Sequence, residues 1–316
     1  MPQPPQKKDL LGLKDITAAE IESIFSTAES MKEVLSRPIR RVPALVSKTV
    51  AILFFEPSTR TRTSFEMAAK ALSASTTSIA ASTSSAVKGE TLIDTARNIE
   101  VMGVDAIVIR HSMSGSAELV AQNVKASVVN AGDGCNEHPT QGLLDMFTMR
   151  EKKGPLKGKR VVIVGDIAHS RVARSNIWGL TKLGAKVKVV GPPTLIPAGI
   201  EEMGVEVSFD LAKAIEDADF INVLRLQLER QQKGLFPSVE EYVKLYGIDS
   251  NVLKKAPKDV VIMHPGPINR GIELSSEVAD GPYNVILDQV ENGVAIRMAV
   301  LFLLLGGDEN HNKDQE

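Results

Sequence analysis

From Phe54 to Phe65 the chain reads Phe-Phe-Glu-Pro-Ser-Thr-Arg-Thr-Arg-Thr-Ser-Phe. The apolar run Val50–Phe55 before it predicts a buried strand, and Glu56-Pro57 ends that strand. Ser58 and Thr59 stand where a helix N-cap belongs, and Phe65, Met67, Ala68 and Leu72 recur at helical spacing. Ser58, Thr59, Arg60 and Thr61 therefore lie on a strand-to-helix turn. Such a turn offers unsatisfied backbone N–H groups and the positive end of the helix dipole. Hydroxyls add further donors, and Arg60 adds a planar fork for two oxygens. That set suits a phosphate dianion better than it suits simple capping, which does not require arginines interleaved with threonines.

Further polar clusters follow apolar runs. Asp105–Ile109 ends in Arg110-His111. Val128–Gly134 leads into Cys135-Asn136-Glu137-His138-Pro139-Thr140-Gln141, where Gly132 and Gly134 permit a tight bend and Pro139 opens a helix. A cationic Arg110, a neutral His138 donor and the Gln141 amide can together address a polar carbonyl beside a phosphate. A polar loop, Ser82–Glu90, carries Ser84 and Lys88, and Glu90 is placed to cap the next helix. It reads as a solvated loop or as one that covers a ligand. In the second half, Val164-Gly165-Asp166 leads to Arg171 at a helix start. The G-x-G-x-x-G dinucleotide fingerprint is absent there, which argues against a nicotinamide-dependent dehydrogenase. Phe220–Leu224 ends in Arg225-Leu226-Gln227, with Arg225 and Gln227 on one side of an extended chain. Two arginines at strand ends suit two carboxylates, or surface ion pairs. Val260–Met263 runs into His264-Pro265-Gly266-Pro267, a stiff segment whose carbonyls can accept from an amine.

The elements that must position these residues alternate. Strands are predicted near 49–55, 76–80, 105–110 and 126–130, with helices near 61–73, 90–103, 115–124 and 139–152. After a Lys/Gly/Pro-rich joint at 152–159 come strands near 160–165, 186–190, 205–208, 219–224 and 260–263. The helices of that half fall near 171–183, 210–216, 238–246 and 285–305. This is an α/β chain of two consecutive domains, each a mainly parallel sheet flanked by helices. In open sheets of this kind ligands gather at the carboxyl ends of the strands, where the clusters lie. A net charge of −2 provides no global field to recruit nucleic acid or an anionic membrane. No run reaches the ~18 apolar residues of a membrane span, and the first residues lack the apolar core of a signal peptide. One cysteine, Cys135, excludes an intrachain disulfide and a cysteine-cluster metal site and suits a reducing, cytoplasmic compartment.

Taken in order, Phe54 to Thr63, Lys88-Gly89-Glu90, Arg110-His111, His138-Pro139-Thr140-Gln141, Gly165-Asp166 with Arg171, Arg225 with Gln227, and His264-Pro265-Gly266-Pro267 resemble the catalytic chains of the aspartate carbamoyltransferase family. The resemblance runs from about residue 10 to 306. The first and fourth elements are shared with ornithine carbamoyltransferases. Lys88, Arg225-Leu226-Gln227 and His264-Pro265 discriminate, because the ornithine enzymes carry a cysteine in the last loop. The resemblance implies carbamoyl transfer from carbamoyl phosphate to the α-amino group of L-aspartate, a step of pyrimidine biosynthesis, with no cofactor, metal or covalent intermediate. It implies that Ser58, Thr59, Arg60, Thr61 and Arg110 hold phosphate and that Thr61, Arg110 and His138 face the carbonyl oxygen. Gln141 and the backbone of Pro265, Gly266 and Pro267 accept from the carbamoyl amine. Lys88, Arg171, Arg225 and Gln227 hold aspartate, with Ser84 and Lys88 entering from the neighbouring subunit of a homotrimer.

The implied domains are 1–152, binding carbamoyl phosphate, and 153–290, binding aspartate, with a C-terminal helix (about 291–306) packing back toward the first. Val172 stands where some relatives have threonine, and Gly266 where the best-known enteric form has leucine. The Gly266-Pro267 version resembles bacterial members that include partners of dihydroorotase, and leaves a zinc-binding regulatory chain as the alternative partner. The rival functions are carbamoyl transfer to another amine such as ornithine, and a non-catalytic paralogue.

Overall fold

The computed structural model describes residues 7–80, 90–226 and 238–306. The chain divides into two compact units, one being the sequence up to Thr140 together with that from Glu291 onward, the other Gln141–Val290.

The first half carries α1 (Ala18–Ser36), β1 (Thr49–Phe54), α2 (Thr59–Ala71), β2 (Ser75–Ala80), α3 (Leu92–Val101), β3 (Ala106–His111), α4 (Ser116–Ala121), β4 (Ser127–Asp133) and α5 (Pro139–Lys153). Its strands form a parallel four-stranded sheet in the order β2-β1-β3-β4. Helical crossovers allow neighbouring strands to run the same way. Val50 to Leu53 and Ala106 to Ile109 are all buried, the continuous apolar pattern of strands covered on both faces. Ala96, Ile99 and Val120 pack on them from α3 and α4.

Alternation of apolar runs does not reveal α1, but its start was written in the sequence. The Thr17 hydroxyl accepts the Glu20 N–H at 3.2 Å and the Glu20 carboxylate accepts the Thr17 N–H at 2.6 Å, a reciprocal capping box. Ile21, Ile24, Phe25 and Ala28 then bury one face. Two smaller expectations also change. Thr91, not Glu90, caps α3, by accepting the Asp94 N–H, while Glu90 accepts from the Asn98 amide at 2.6 Å. Phe65, Ala68 and Leu72 are buried, but Met67 is 53% exposed, because it falls on the opposite side of α2.

The second half carries β5 (Arg160–Val164), α6 (Arg171–Lys182), β6 (Lys186–Val190), β7 (Glu206–Ser208), α7 (Leu211–Ala214), β8 (Phe220–Val223), α8 (Val239–Tyr246), α9 (Ser250–Leu253), β9 (Val261–Met263), α10 (Ser276–Ala279) and α11 (Ile286–Leu305). Its five strands are parallel, in the order β7-β6-β5-β8-β9. Val162, Val164, Ile221, Val223 and Ile262 form the core with Leu211 and Tyr242. Burying each such aliphatic side chain contributes about 1.5–3 kcal/mol. The division between units falls inside α5 and α11. Beyond Glu291, α11 packs on α2 of the first unit: Arg297 Nη1 donates to Ser64 Oγ at 2.8 Å, and the guanidinium lies 5.1 Å over the Phe65 ring. Among the described residues no helix is long and apolar enough to cross a membrane.

Candidate active site

In the first unit the predicted phosphate-binding residues occupy the carboxyl ends of three consecutive strands. Ser58 is the N-cap residue of α2 after β1 and Thr59 to Thr61 open that helix, Arg110 is the penultimate residue of β3 opposite Phe54 of β1, and His138 follows β4. Ser58 is at the N-cap position with extended backbone, yet its side chain makes no capping bond, so it does not consume the first-turn donors of α2. Thr61 is buried, Ser58 is half-buried, and Thr59 and Arg60 are exposed.

Arg110 is held from two sides. Its Nε lies 3.4 Å from Glu56 Oε2, and its Nη1 donates to the Ala131 carbonyl at 3.3 Å. Glu56 was legible only as the residue that ends β1; its function as the counter-charge of Arg110 needed the pairing of β1 with β3. The neighbouring His111 ring packs against Phe55 with centroids 5.1 Å apart, and its Nδ1 accepts the Met113 N–H at 3.0 Å. Burial holds this imidazole below its ordinary pKa, against the opposing pull of Glu56 and Asp133.

The loop after β4 is organised by Asp133, which the sequence did not mark. Its Oδ1 accepts the Asn130 amide at 2.7 Å and the Glu137 N–H at 3.1 Å, and its Oδ2 accepts the Gly115 N–H at 2.7 Å. Gly132 and Gly134 both take positive φ, as their bend requires. At Gly134 a side chain would meet Ser114 Oγ at 2.4 Å. Glu137 faces the N-terminal segment, where it accepts the Leu13 and Lys14 N–H groups at 2.7 and 3.1 Å. His138 beside it is buried at the start of α5.

In the second unit the predicted carboxylate- and amine-binding residues also follow neighbouring strands. Arg171 is the first residue of α6, after β5, and is buried. Ser170 caps that helix through the Ala173 N–H at 3.1 Å. Arg225 lies two residues beyond β8, half-buried. Gly165 takes φ +129, and a Cβ there would meet Tyr242 Oη at 3.1 Å and Leu224 Cβ at 3.2 Å. Asp166 is fully buried and anchors the turn, with its Oδ1 2.8 Å from His169 Nδ1.

Pro265, Gly266 and Pro267 follow β9. His264, buried before them, is an organiser rather than a ligand group. Its Nδ1 accepts the Gly266 N–H at 2.8 Å, which places the ring proton on Nε2, 3.2 Å from Glu273 Oε1. Glu273 Oε1 also accepts the Asn269 N–H at 2.6 Å, and the Asn269 amide donates to the Leu226 carbonyl at 3.2 Å. Thus the 264–269 turn is tied to the segment beyond β8. Gln141 is buried in the first turn of α5 and donates through Nε2 to Asp145 Oδ1 at 2.9 Å. Asp145 was missed, although a Gln–Asp pair at i,i+4 on a helix was a usable signal. Ser84, Lys88 and Gln227 lie outside the described residues.

Each unit is thus an open parallel α/β sheet bearing basic and amide side chains at its carboxyl edge, a class of fold that binds small anionic ligands at that edge. The domain described as "Aspartate/ornithine carbamoyltransferase, carbamoyl-P binding domain" matches residues 8–151, and "Aspartate/ornithine carbamoyltransferase, Asp/Orn binding domain" matches residues 157–304. The chain belongs to the aspartate/ornithine carbamoyltransferase family. It is 60% identical over 305 residues to the aspartate carbamoyltransferase catalytic subunit of Halothermothrix orenii, covering 96% of this chain and 97% of that one. Among solved structures it is similar to an ornithine carbamoyltransferase from Pyrococcus furiosus, with TM-score 0.84, 36% identity, and coverage of 95% and 98%. It is also similar to an aspartate transcarbamoylase from Trypanosoma cruzi in complex with carbamoyl phosphate and aspartate, with TM-score 0.85, 27% identity, and coverage of 94% and 96%.

Proposed function

We propose that this chain is an enzyme that transfers the carbamoyl group of carbamoyl phosphate to the α-amino group of L-aspartate, releasing N-carbamoyl-L-aspartate and phosphate. The observation that carries this is the 60% identity, over nearly all of both chains, to a relative described as an aspartate carbamoyltransferase catalytic subunit. Ornithine as the acceptor is disfavoured because the relative at 60% identity is described as an aspartate enzyme, and by Pro265 in the last loop.

The chemistry follows from the side chains. The amine lone pair attacks the carbonyl carbon, and negative charge grows on the carbonyl oxygen. The C–O bond to phosphate then breaks, and the departing phosphate takes the proton the amine gives up. Preorganised donors aimed at the charged oxygens lower this barrier without a covalent step. Ser58, Thr59, Arg60, Thr61, Arg110 and the α2 N-terminus serve the phosphate, while Thr61, Arg110 and His138 serve the carbonyl oxygen. Gln141 and the carbonyls of Pro265, Gly266 and Pro267 accept from the carbamoyl amine. Arg171, Arg225 and Gln227 bind the aspartate carboxylates. Ser84 and Lys88 of a neighbouring subunit complete the site in a homotrimer, to which dihydroorotase or regulatory chains add in a larger assembly.

The direct test incubates the chain with carbamoyl phosphate and either aspartate or ornithine and quantifies the carbamoylated product. Aspartate should turn over and ornithine should not. Faster turnover of ornithine would displace the assignment of aspartate, and no turnover with either amine would leave the non-catalytic paralogue.

A further inference from the structure

Beneath Gln141 lies a carboxylate with no cationic partner among the described residues. Asp145 is fully buried and is surrounded by four carboxamides: Gln141 Nε2 at 2.9 Å and Gln289 Nε2 at 2.7 Å donate to its Oδ1, and Asn176 Nδ2 at 2.8 Å and Asn222 Nδ2 at 3.4 Å to its Oδ2. These partners come from the carboxyl edge of the second unit's sheet and from the two helices α5 and α6, with Gln289 on α11.

A carboxamide can face either way, and its orientation is set by what it meets. Four NH2 groups donate to this one carboxyl, so it serves here as an acceptor and turns all four inward. Asn176 and Asn222 keep that orientation even though each leaves a buried Oδ1 with no donor among the described residues. For Gln141 the consequence is that Oε1 is the atom left to meet a ligand. For Gln289, Oε1 is left to accept the His264 N–H at 3.0 Å, and His264 Nδ1 in turn takes the Gly266 N–H. One carboxylate therefore governs both the Gln141 side chain and the start of the Pro265-Gly266-Pro267 segment.

We propose that Asp145 is the positioning residue for carbamoyl recognition: through Gln141 on one side and Gln289–His264 on the other, it makes this region of the second unit an all-acceptor surface matched to an –NH2 group. This rests on the proposed acceptance of the carbamoyl amine by Gln141 and the 265–267 carbonyls. Burial pushes the Asp145 carboxyl above its ordinary pKa, while the four amide donors pull the other way and favour the acceptor form. Asp145 differs from a residue that merely fills the core, because its loss should alter which ligand is preferred and not only how stable the fold is.

The test compares carbamoyl phosphate with acetyl phosphate, which replaces –NH2 by –CH3, and with inorganic phosphate, which lacks both. Each is measured as a ligand of the full chain, wild type and Asp145→Asn. Asparagine can donate as well as accept, so it no longer dictates which end of Gln141 faces outward. The expected result is a loss of about 10-fold or more in the preference for carbamoyl over acetyl phosphate, with inorganic phosphate changed by less than about 3-fold. An unchanged preference in folded Asp145→Asn overturns the proposal, as does an equal weakening of all three ligands. If wild type does not itself prefer carbamoyl to acetyl phosphate, the amine-acceptor reading fails and takes the proposal with it. Should Asp145→Asn not fold, Gln289→Met cuts only the branch to His264. A loss of about 3-fold or more in the same preference is then expected, and no change overturns the proposal.

Discussion

Glu56 Oε2 lies 3.4 Å from Arg110 Nε, across the pairing of β1 with β3, and both side chains are largely buried. The two residues are far apart in sequence, yet they flank the same edge of the sheet. The carboxylate fixes one side of the guanidinium, and the Ala131 carbonyl accepts from its Nη1, so the cation is held in one orientation at the strand end. Glu56→Gln keeps the shape and removes the charge. It should lower kcat/KM for carbamoyl phosphate by about 10-fold, or ~1.4 kcal/mol, as read by steady-state kinetics at saturating aspartate. An unaltered kcat/KM would mean that Arg110 needs no such support.

Arg60→Ala and Arg110→Ala remove the two cations placed at the β1 and β3 ends. Each should reduce kcat by roughly 10²–10³-fold, the usual consequence of deleting a donor to developing charge. Far-ultraviolet circular dichroism should stay at the wild-type value, since neither side chain belongs to the apolar core. Near-normal turnover in both variants would remove the phosphate assignment.

Arg225→Ala should act on the other substrate. Losing a charge-assisted pair to a carboxylate costs about 1.5–3 kcal/mol, so the aspartate KM should rise by about 10- to 100-fold. The carbamoyl phosphate KM should move by less than about 3-fold. Equal effects on the two substrates would contradict the assigned partner.

The proposed entry of Lys88 from a neighbouring subunit of a trimer predicts complementation. Mixed trimers of Lys88→Ala and Arg60→Ala chains would contain some sites with both wild-type residues, so mixing two nearly inactive variants should restore activity. No recovery in trimers shown to be mixed would count against sharing.

His111 gives a pH signature. Its pKa in the folded chain lies below the ordinary 6.5 because burial disfavours the imidazolium. Between that lowered value and 6.5 the unfolded chain binds more protons than the folded one. Stability should therefore rise with pH through this window and fall on acidification. His111→Asn, which keeps an acceptor for the Met113 N–H, should lose this component. Its Tm relative to wild type should climb by about 1–2 °C from pH 7 to pH 5, measured by differential scanning calorimetry. A constant difference across that range would exclude the titration.

Much of the architecture could be read along the chain because its signals are local. Buried parallel strands show as apolar runs such as Val161–Val164, and helix starts show as caps and prolines such as Ser170 and Pro139. The residue types around Arg60, Arg110, His138 and Arg171 likewise pointed to anion chemistry, because strand ends in an α/β fold are where ligands gather. What sequence alone determined is thus the succession of strands, most of the helices between them, the parallel sheets and the inventory of donors, while α1, α9 and α10 went unread. Tertiary structure decided how those donors are held. Glu56 meets Arg110 only through strand pairing, and Glu273 meets His264 only through the return of the chain beyond β9. Asp145 gathers amides from three other elements, a convergence that no spacing encodes. The physical reason is range: hydrogen-bond preference within a turn of helix is carried by neighbours in sequence, whereas a buried charge is satisfied by whichever distant groups the folded backbone brings within about 3 Å.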